Sequence, residues 1–260
     1  MINTYLDSAV LIFIYMNLIF LLALWKRDNS IVDIGWGPGF ALVAWWMHIY
    51  YPHLYSWLPA TLVSIWGLRL AIYIGRRNAR KGGEDWRYAK WREEWGKWVI
   101  PRAYLQVFLL QGFFMWIIAL PMMQRPAGVG LEWYQWAGVA LWLAGFLWET
   151  IADWQLARFK LRPENEGRLM MYGLWRLSRH PNYFGEIVLW WGLWLLMLPY
   201  GLWYISLFSP LSITWLLVRV SGVPMLERRY EGNLVYEAYQ KRTPALAPKM
   251  GKWKPGAKKT

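Results

Sequence analysis

The sequence contains no cysteine, and only three of its 260 residues are histidine (His48, His53 and His180). The missing thiols exclude disulfides, iron–sulfur clusters, zinc thiolate sites and cysteine nucleophiles. The histidines are too few and too scattered for a histidine-cluster metal site, so we expect no metal. A G-x-G-x-x-G dinucleotide fingerprint is also missing. The nearest run, Gly35-Trp-Gly-Pro-Gly39, follows no strand pattern and lies at the start of an apolar segment.

Charged residues are scarce as well. They make up 17% of the chain, whereas soluble domains carry roughly 25%. Hydrophobic residues reach 57%, and 23 residues are tryptophan, which is enriched at membrane–water interfaces. We therefore expect an all-α polytopic membrane protein that forms a single integral membrane domain over residues 1–260.

About seven hydrophobic stretches approach the roughly 20 residues that a helix needs to cross a bilayer. They are residues 8–25, 32–50, 57–75, 104–123, 133–152, 183–198 and 202–218. The first lacks a basic leader and a small-residue cleavage site, so we interpret it as a retained span and not as a signal peptide.

The positive charge is concentrated in the connections between these stretches. Residues 26–30, 76–103, 153–182 and 221–260 hold 26 of the 29 lysines and arginines. Seven spans place all four segments on one side, which the positive-inside rule makes cytoplasmic. We expect the N-terminus outside and the C-terminus inside, in a bacterial inner membrane. The net charge of +13 then indicates membrane lipid, not nucleic acid, as a partner.

Two basic segments have further patterns. Tyr88, Trp91, Trp95 and Trp98 share one helical face, which is typical of an interfacial helix lying on the inner leaflet. Residues 249–260 are rich in lysine, proline and glycine, so we expect a disordered tail attracted to anionic lipid.

Ionisable groups within apolar spans are costly, and each is a functional candidate. The five are Asp33, Arg69, Glu149, Asp153 and Glu186. The structural alternative is pairing between spans, such as Asp33 with Arg69. All five lie in the inner halves of their spans, which favours a shared polar cavity open to the cytoplasm.

The most informative stretch is residues 173–186, Gly-Leu-Trp-Arg-Leu-Ser-Arg-His-Pro-Asn-Tyr-Phe-Gly-Glu. Pro181 suits the first position of a helix, which would leave the N–H groups of Asn182 and Tyr183 for an anion. Nearby basic residues are Arg158, Lys160, Arg168, Arg176, Arg179 and His180. Ordinary positive-inside charge would explain the arginines but not the Pro-Asn-Tyr start. Phosphate binding is therefore the preferred interpretation.

The run Arg-His-Pro-Asn-Tyr-Phe-Gly-Glu at residues 179–186, preceded by Glu149-x-x-x-Asp153-x-Gln155, resembles the steroid 5-alpha-reductase-like membrane family. It resembles most closely a bacterial branch labelled a domain of unknown function, which is related to isoprenylcysteine methyltransferases. Further matching stretches are residues 29–33, 66–70, 83–88 and 239–243. The resemblance implies seven transmembrane helices, NADPH at the cytoplasmic ends of the later helices, and reduction of a C=C bond conjugated to a carbonyl in a lipophilic, steroid- or enone-like substrate.

The resemblance also implies roles for individual residues. Asp153, Arg168 and Asn182 match positions that contact NADPH, and Lys160 and Arg69 match basic positions. The expected cofactor set is completed by Ser178, Arg179, His180, Tyr183 and Arg228.

The same resemblance suggests catalytic residues and shows two departures. Glu186 matches an acidic position beside the nicotinamide, and Asp33 is the nearest equivalent of a glutamate that polarises the substrate carbonyl. The tyrosine proton donor of the reductases aligns with Trp66, and Glu149 stands where they have an asparagine. Asp33 is therefore the expected acid, with Glu149 or Tyr73 as the alternative.

Two other functions compete with the reductase. Isoprenylcysteine carboxyl methyltransferases, which bind S-adenosylmethionine, share a similar Arg-His-Pro run but carry a Glu-Glu pair in the C-terminal segment. This chain has only Glu227 there, followed by Arg228 and Arg229, which suit a phosphorylated cofactor better. The other alternative is a non-enzymatic assembly protein. The sequence leaves the substrate and the oligomeric state open.

Overall fold

The computed structural model describes residues 2–52, 55–124, 131–198 and 203–249, and every regular element in these ranges is helical. The expected all-α class is confirmed for this part of the chain. The run Pro-Tyr-Gly at residues 199–201, which predicts a tight turn between the sixth and seventh apolar stretches, lies outside the described residues. The same holds for all of the basic tail except Lys249.

The thirteen α-helices of the described ranges follow one another along the chain. They are α1 (Ile2–Lys26), α2 (Ile31–Tyr50), α3 (Trp57–Lys81), α4 (Trp86–Trp95), α5 (Val99–Ala103), α6 (Leu110–Ile118), α7 (Trp133–Lys160), α8 (Leu174–Leu177), α9 (Pro181–Leu196), α10 (Trp203–Ser206), α11 (Phe208–Trp215), α12 (Val223–Arg228) and α13 (Leu234–Gln240). Short 3₁₀ turns occupy Gly96–Trp98, Leu120–Met123 and Pro163–Asn165, and π-helical turns occupy Tyr104–Leu109 and Leu216–Val220.

Three helical stretches in the described ranges are long and apolar enough to cross a membrane. They are Asn3–Lys26, Trp57–Lys81 and Trp203–Arg228. These stretches mark the chain as a membrane protein. The other four predicted spans coincide largely with α2, the α5–α6 segment, α7 and α9, while the count of seven stays a prediction.

Local sequence signals explain several helix boundaries. The carboxylate of Asp85 accepts a hydrogen bond from the backbone N–H of Arg87 at 3.2 Å and caps α4. Helix α3 ends at Lys81 and is followed by Gly82, whose φ of +66° suits glycine best. Pro181 opens α9, as predicted, because the first helical position needs no N–H donor.

The chain divides into two compact units. The first comprises residues 1–141 and 190–213, and the second comprises residues 142–189 and 214–260. Helices α7 and α9 each contribute residues to both units, since the divisions fall at residues 141 and 189 within them.

The first unit is built around a very close contact of α2 with α3. A Cβ atom on Gly37 would lie 2.4 Å from the carbonyl oxygen of Gly67, so only glycine permits this approach. Beside it, Phe40 packs against Trp66 and Trp190 with ring centroids 5.9 and 4.9 Å apart. Trp66 is almost fully buried, so it serves as a packing residue of this aromatic core.

Candidate functional site

In the second unit, α7 and α9 approach each other through two glycines. A Cβ on Gly145 would lie 2.5 Å from the backbone nitrogen of Leu189, and one on Gly185 would lie 2.5 Å from the backbone nitrogen of Glu149. The backbones therefore touch at this level. The contact places Glu149 of α7 directly beside the residue that precedes Glu186 in α9.

Three of the predicted carboxyl groups are buried in this unit. Glu149, Asp153 and Glu186 expose 2%, 3% and 8% of their surfaces. The side-chain amide of Asn182 donates a hydrogen bond to Asp153 Oδ1 at 3.2 Å. The structure thus brings Glu149 and Asp153 of α7 and Asn182 and Glu186 of α9 onto neighbouring helical turns. The first and last of these residues are 37 positions apart in the sequence. Such a concentration of buried acid groups is costly and typical of functional sites.

The loop that leads into α9 is fixed to α7 by its first residues. Gly173 has a φ of +59°, and the N–H of the next residue, Leu174, donates to the side-chain oxygen of Gln155 at 3.0 Å. The indole N–H of Trp175 donates to the carbonyl of Ala152 at 3.0 Å. Gln155 of the Glu-x-x-x-Asp-x-Gln motif is therefore an anchor for this loop.

Arg179 and His180, both predicted to face an anion, are engaged by one carboxylate. Glu227 Oε1 accepts from Arg179 Nε at 2.9 Å, lies 2.8 Å from Arg179 Nη2 and is 3.0 Å from His180 Nε2. Arg179 Nη1 also donates to the carbonyl of Thr243 at 2.5 Å. The guanidinium of Arg179 is thus held by acceptors of the protein, and its expected role at a phosphate site stays a prediction.

The C-terminal segment encloses the same loop. The N–H groups of Arg179 and His180 donate to the carbonyls of Pro244 and Ala245 at 2.9 and 3.1 Å. Buried Ser178 donates through its hydroxyl to Ala245 at 3.2 Å. The phenol of Tyr239 donates to the carbonyl of Trp175. Burial, followed by the neighbouring Tyr236, raises the pKa of Tyr239 well above its ordinary value, so the phenol is held neutral.

Other predicted cofactor residues lie on the surface of the second unit. Lys160 is in the last turn of α7, Arg168 follows the 3₁₀ turn after it, and Arg228 ends α12; all three are exposed. The ring of Tyr183 stacks on His180 with centroids 5.5 Å apart. Arg69 belongs instead to α3 of the first unit.

Asp33 also belongs to the first unit, where it is the centre of an ion-pair network. Arg87 Nη2 lies 2.6 Å from Asp33 Oδ2, and the hydroxyl of Tyr88 donates to Asp33 Oδ1 at 2.6 Å. Arg87 Nε also contacts Asp85 at 2.9 Å. Burial disfavours the charge of Arg87, but the neighbouring Asp33, Tyr88 and Asp85 outweigh it and raise the pKa of this guanidinium.

These contacts revise two expectations. The suggested partner of Asp33 was Arg69, whereas the contacts that engage both of its oxygens come from Arg87 and Tyr88. Tyr88, expected to face the lipid leaflet, is 3% exposed and points to Asp33 inside the protein. Burial and the charge of Asp33 raise the pKa of Tyr88 well above its usual value.

Sequence reasoning missed Arg87 and Glu227 as the residues that hold these two clusters. Arg87 lies in the matching stretch 83–88, and Glu227 was considered only as a methyltransferase feature. For Glu227, the available signal in the sequence was a single acidic residue next to two arginines, Arg228 and Arg229. Its partners are 47 and 48 positions away in sequence, so no local pattern joins them.

The comparisons with known proteins agree with a family of unknown function. The family model described as "Protein of unknown function (DUF1295)" matches residues 19–243. The chain is similar to an uncharacterized protein of Schizosaccharomyces pombe, with 25% identity over 222 residues that cover 72% of this chain. The chain spans 63% of the length of that relative. No solved structure matches the chain significantly.

Proposed function

We propose, from the premise that the chain belongs to the DUF1295 family of proteins of unknown function, that it is a membrane-embedded NADPH-dependent reductase of lipophilic, enone-like or steroid-like C=C bonds. The observation that carries the proposal is the hydrogen bond between Asn182 and Asp153 at 3.2 Å. Resemblance to the steroid 5-alpha-reductase-like family implies that both residues contact NADPH, and they meet here at the opening turn of α9.

The residues of the second unit suit the parts of such a cofactor. Exposed Lys160, Arg168 and Arg228 supply cations for phosphate groups, which arginine in particular binds through parallel hydrogen bonds. Buried carboxylates such as Asp153 suit ribose hydroxyls, which need acceptors. The indole N–H of Trp148 is buried and has no hydrogen-bond partner among the described residues, so it is a further available donor.

NADPH, when bound, would supply the hydride, and the chain must supply a proton donor near the substrate carbonyl. We assign this role to Glu149. Asp33, the expected acid, has both oxygens engaged by Arg87 and Tyr88, so it acts as an acceptor. Glu149 is buried and shares its unit with Asn182, and a carboxyl group is one of the side chains that serve as general acids.

The proposed topology is a bundle of seven spans of the steroid-reductase type, with the N-terminus outside and the C-terminus in the cytoplasm of a bacterial inner membrane. Its support is the location of 26 of the 29 lysines and arginines in four connections. Cofactor and exposed cations would then share the cytoplasmic side, and the substrate would enter from the bilayer.

The cofactor assignment is tested by calorimetry on the purified full-length chain with NADPH, NADH and S-adenosylmethionine. We expect NADPH to bind more tightly than NADH, and Arg168→Gln to weaken NADPH binding roughly tenfold or more, as for loss of a hydrogen bond to a charged group. Arg162→Gln is the matched control, because Arg162 is exposed in the same segment and has no assigned role.

Two outcomes would overturn the assignment of NADPH as the cofactor. Equal affinity for NADPH and NADH would remove the 2′-phosphate contact. Tight S-adenosylmethionine binding without nucleotide binding would favour the methyltransferase, for which Glu227 is the matching residue of the C-terminal segment.

A further inference from the structure

We propose that Glu227 is a positioning residue that holds the opening turn of α9 in its ligand-binding conformation, acting through His180. The inference rests on the proposed function, because the ligand of that turn is taken to be NADPH. Glu227 itself is not assigned to touch the cofactor. Its carboxylate binds residues that lie immediately before the turn, and nothing in the family resemblance assigns it this role.

The first step is the contact of Glu227 with the loop. Its Oε1 atom serves both Arg179, at 2.8 and 2.9 Å, and His180, at 3.0 Å. Its Oε2 atom accepts from the side-chain amide of Gln240 at 3.0 Å. Both oxygens of the Glu227 carboxylate therefore make hydrogen bonds. Those to the charged guanidinium of Arg179 are stronger than hydrogen bonds between neutral groups.

The second step leads from His180 into α9. The carbonyl of His180 accepts the N–H of Phe184 at 3.1 Å, which is the first hydrogen bond of the helix. The imidazole ring lies parallel to the ring of Tyr183, with an interplanar angle of 9°. Pro181 fixes the backbone between His180 and Asn182. The orientation of His180 therefore determines where Asn182 and Tyr183, both predicted cofactor residues, are presented.

The third step concerns what holds the loop if Glu227 is lost. The backbone hydrogen bonds from Arg179 and His180 to Pro244 and Ala245 do not involve the carboxylate. The loop should therefore stay attached to the C-terminal segment, while the His180 ring loses its partner. We expect a local loosening of the opening turn and not loss of the whole fold.

The test compares Glu227→Gln with Glu231→Gln in the purified full-length chain, since Glu231 is exposed and outside these contacts. We expect Glu227→Gln to speed hydrogen exchange at the Phe184 amide, which donates to the His180 carbonyl, while the Arg179 and His180 amides stay protected. We also expect it to weaken NADPH binding about tenfold, as for loss of a charged hydrogen bond. Glu231→Gln should change neither. Glu227→Asp, which keeps the charge, should recover part of the NADPH affinity.

A double-variant cycle separates positioning from general support. If Glu227 acts through His180, then Glu227→Gln combined with His180→Gln should weaken NADPH binding no more than His180→Gln alone. Additive losses would overturn the inference. If Glu227→Gln does not fold, Gln240→Ala provides a milder perturbation of the same carboxylate and should shift exchange and affinity in the same direction.

Hydrogen exchange also keeps this inference distinct from the proposed function. Unchanged exchange at the Phe184 amide in Glu227→Gln overturns the positioning role, whatever the nucleotide result. If the wild-type chain binds no NADPH but Glu227→Gln selectively speeds exchange at the Phe184 amide, the reductase proposal fails while Glu227 still positions the turn.

Discussion

Both units join arginine to carboxylate near helix ends, but they do so with different partners. In the first unit, Arg87 joins two acidic side chains, Asp33 and Asp85. In the second, Arg179 joins one carboxylate, Glu227, and main-chain carbonyls of the C-terminal segment. The first network connects α2 with the capping residue of α4, whereas the second secures a loop that presents Asn182. The contrast indicates that charge fixes the start of a helix in one unit, whereas in the other it fixes the loop that we propose to position a ligand.

The largest expected effect is in the first unit. Arg87→Gln would leave Asp33 and Asp85 without their shared cation, and removing one partner of a buried ion pair costs about 3 kcal/mol or more. The measurement is the free energy of unfolding of the solubilised chain. Lys90→Gln is the control, because Lys90 and Glu94 are 65% and 52% exposed and such pairs contribute about 0.5 kcal/mol. Similar losses in both variants would show that the Arg87 network is not specially stabilising.

The second effect concerns the glycine contact in the second unit. Gly185→Ala places a Cβ 2.5 Å from the backbone nitrogen of Glu149, so α7 and α9 must separate at a cost of about 1–3 kcal/mol. Gly75→Ala is the matched control, because Gly75 is helical and has nothing within 4 Å of its Cβ position. There, alanine should stabilise the helix slightly. Equal melting temperatures for the two variants would contradict the close helix contact.

A smaller effect separates the roles of the two units. Asn182→Ala removes the hydrogen bond to Asp153 and should weaken NADPH binding about fivefold, the value for one neutral hydrogen bond of about 1 kcal/mol. Asp33→Asn should leave NADPH affinity unchanged and lower the melting temperature, because Arg87 loses a charged partner. Calorimetry measures the NADPH affinity of both variants, and thermal unfolding of the same preparations measures their melting temperatures. A loss of NADPH affinity in Asp33→Asn alone would reverse the assignment.

The smallest effect is the pH dependence of stability, which should differ in direction between the units. Burial opposes ionisation of Asp85, but Arg87 outweighs it and lowers the pKa of this carboxyl. The stability that Asp85 contributes is therefore present above its unfolded pKa of about 4 and is lost as the pH falls through the lower folded value. Thermal unfolding below about pH 4 should be less steeply acid-dependent in Asp85→Asn than in the wild type.

Tyr239 provides the opposite case in the second unit. The pKa of Tyr239 is raised in the folded protein. Its contribution to the free energy of unfolding is therefore complete below the unfolded pKa of about 10 and is lost as the pH rises toward the folded pKa. Tyr239→Phe should flatten the alkaline fall in stability while leaving the acidic limb unchanged. An alkaline limb that is identical in both proteins would exclude this phenol as the cause.

Much of the local structure followed from the sequence because its signals are local. Pro181 predicted the start of α9, and the apolar stretches predicted the long helices with boundaries that were usually too short. Helix α3 continues to Lys81 and α7 to Lys160, beyond the predicted ends at 75 and 152. A helix can extend past its apolar stretch, because polar residues retain the same backbone hydrogen bonds outside the membrane.

The sequence by itself determined the helical class, the absence of thiol chemistry and the concentration of positive charge in four segments, because these depend on composition and short-range periodicity. Only the tertiary structure decided that Asp33 meets Arg87, that Arg179 meets Glu227 and that Asn182 meets Asp153. Long-range pairing depends on which helices approach one another, and here that approach is set by backbone contacts at Gly37, Gly145 and Gly185. Hydropathy reports how apolar a segment is, but not which neighbour its few polar groups will find.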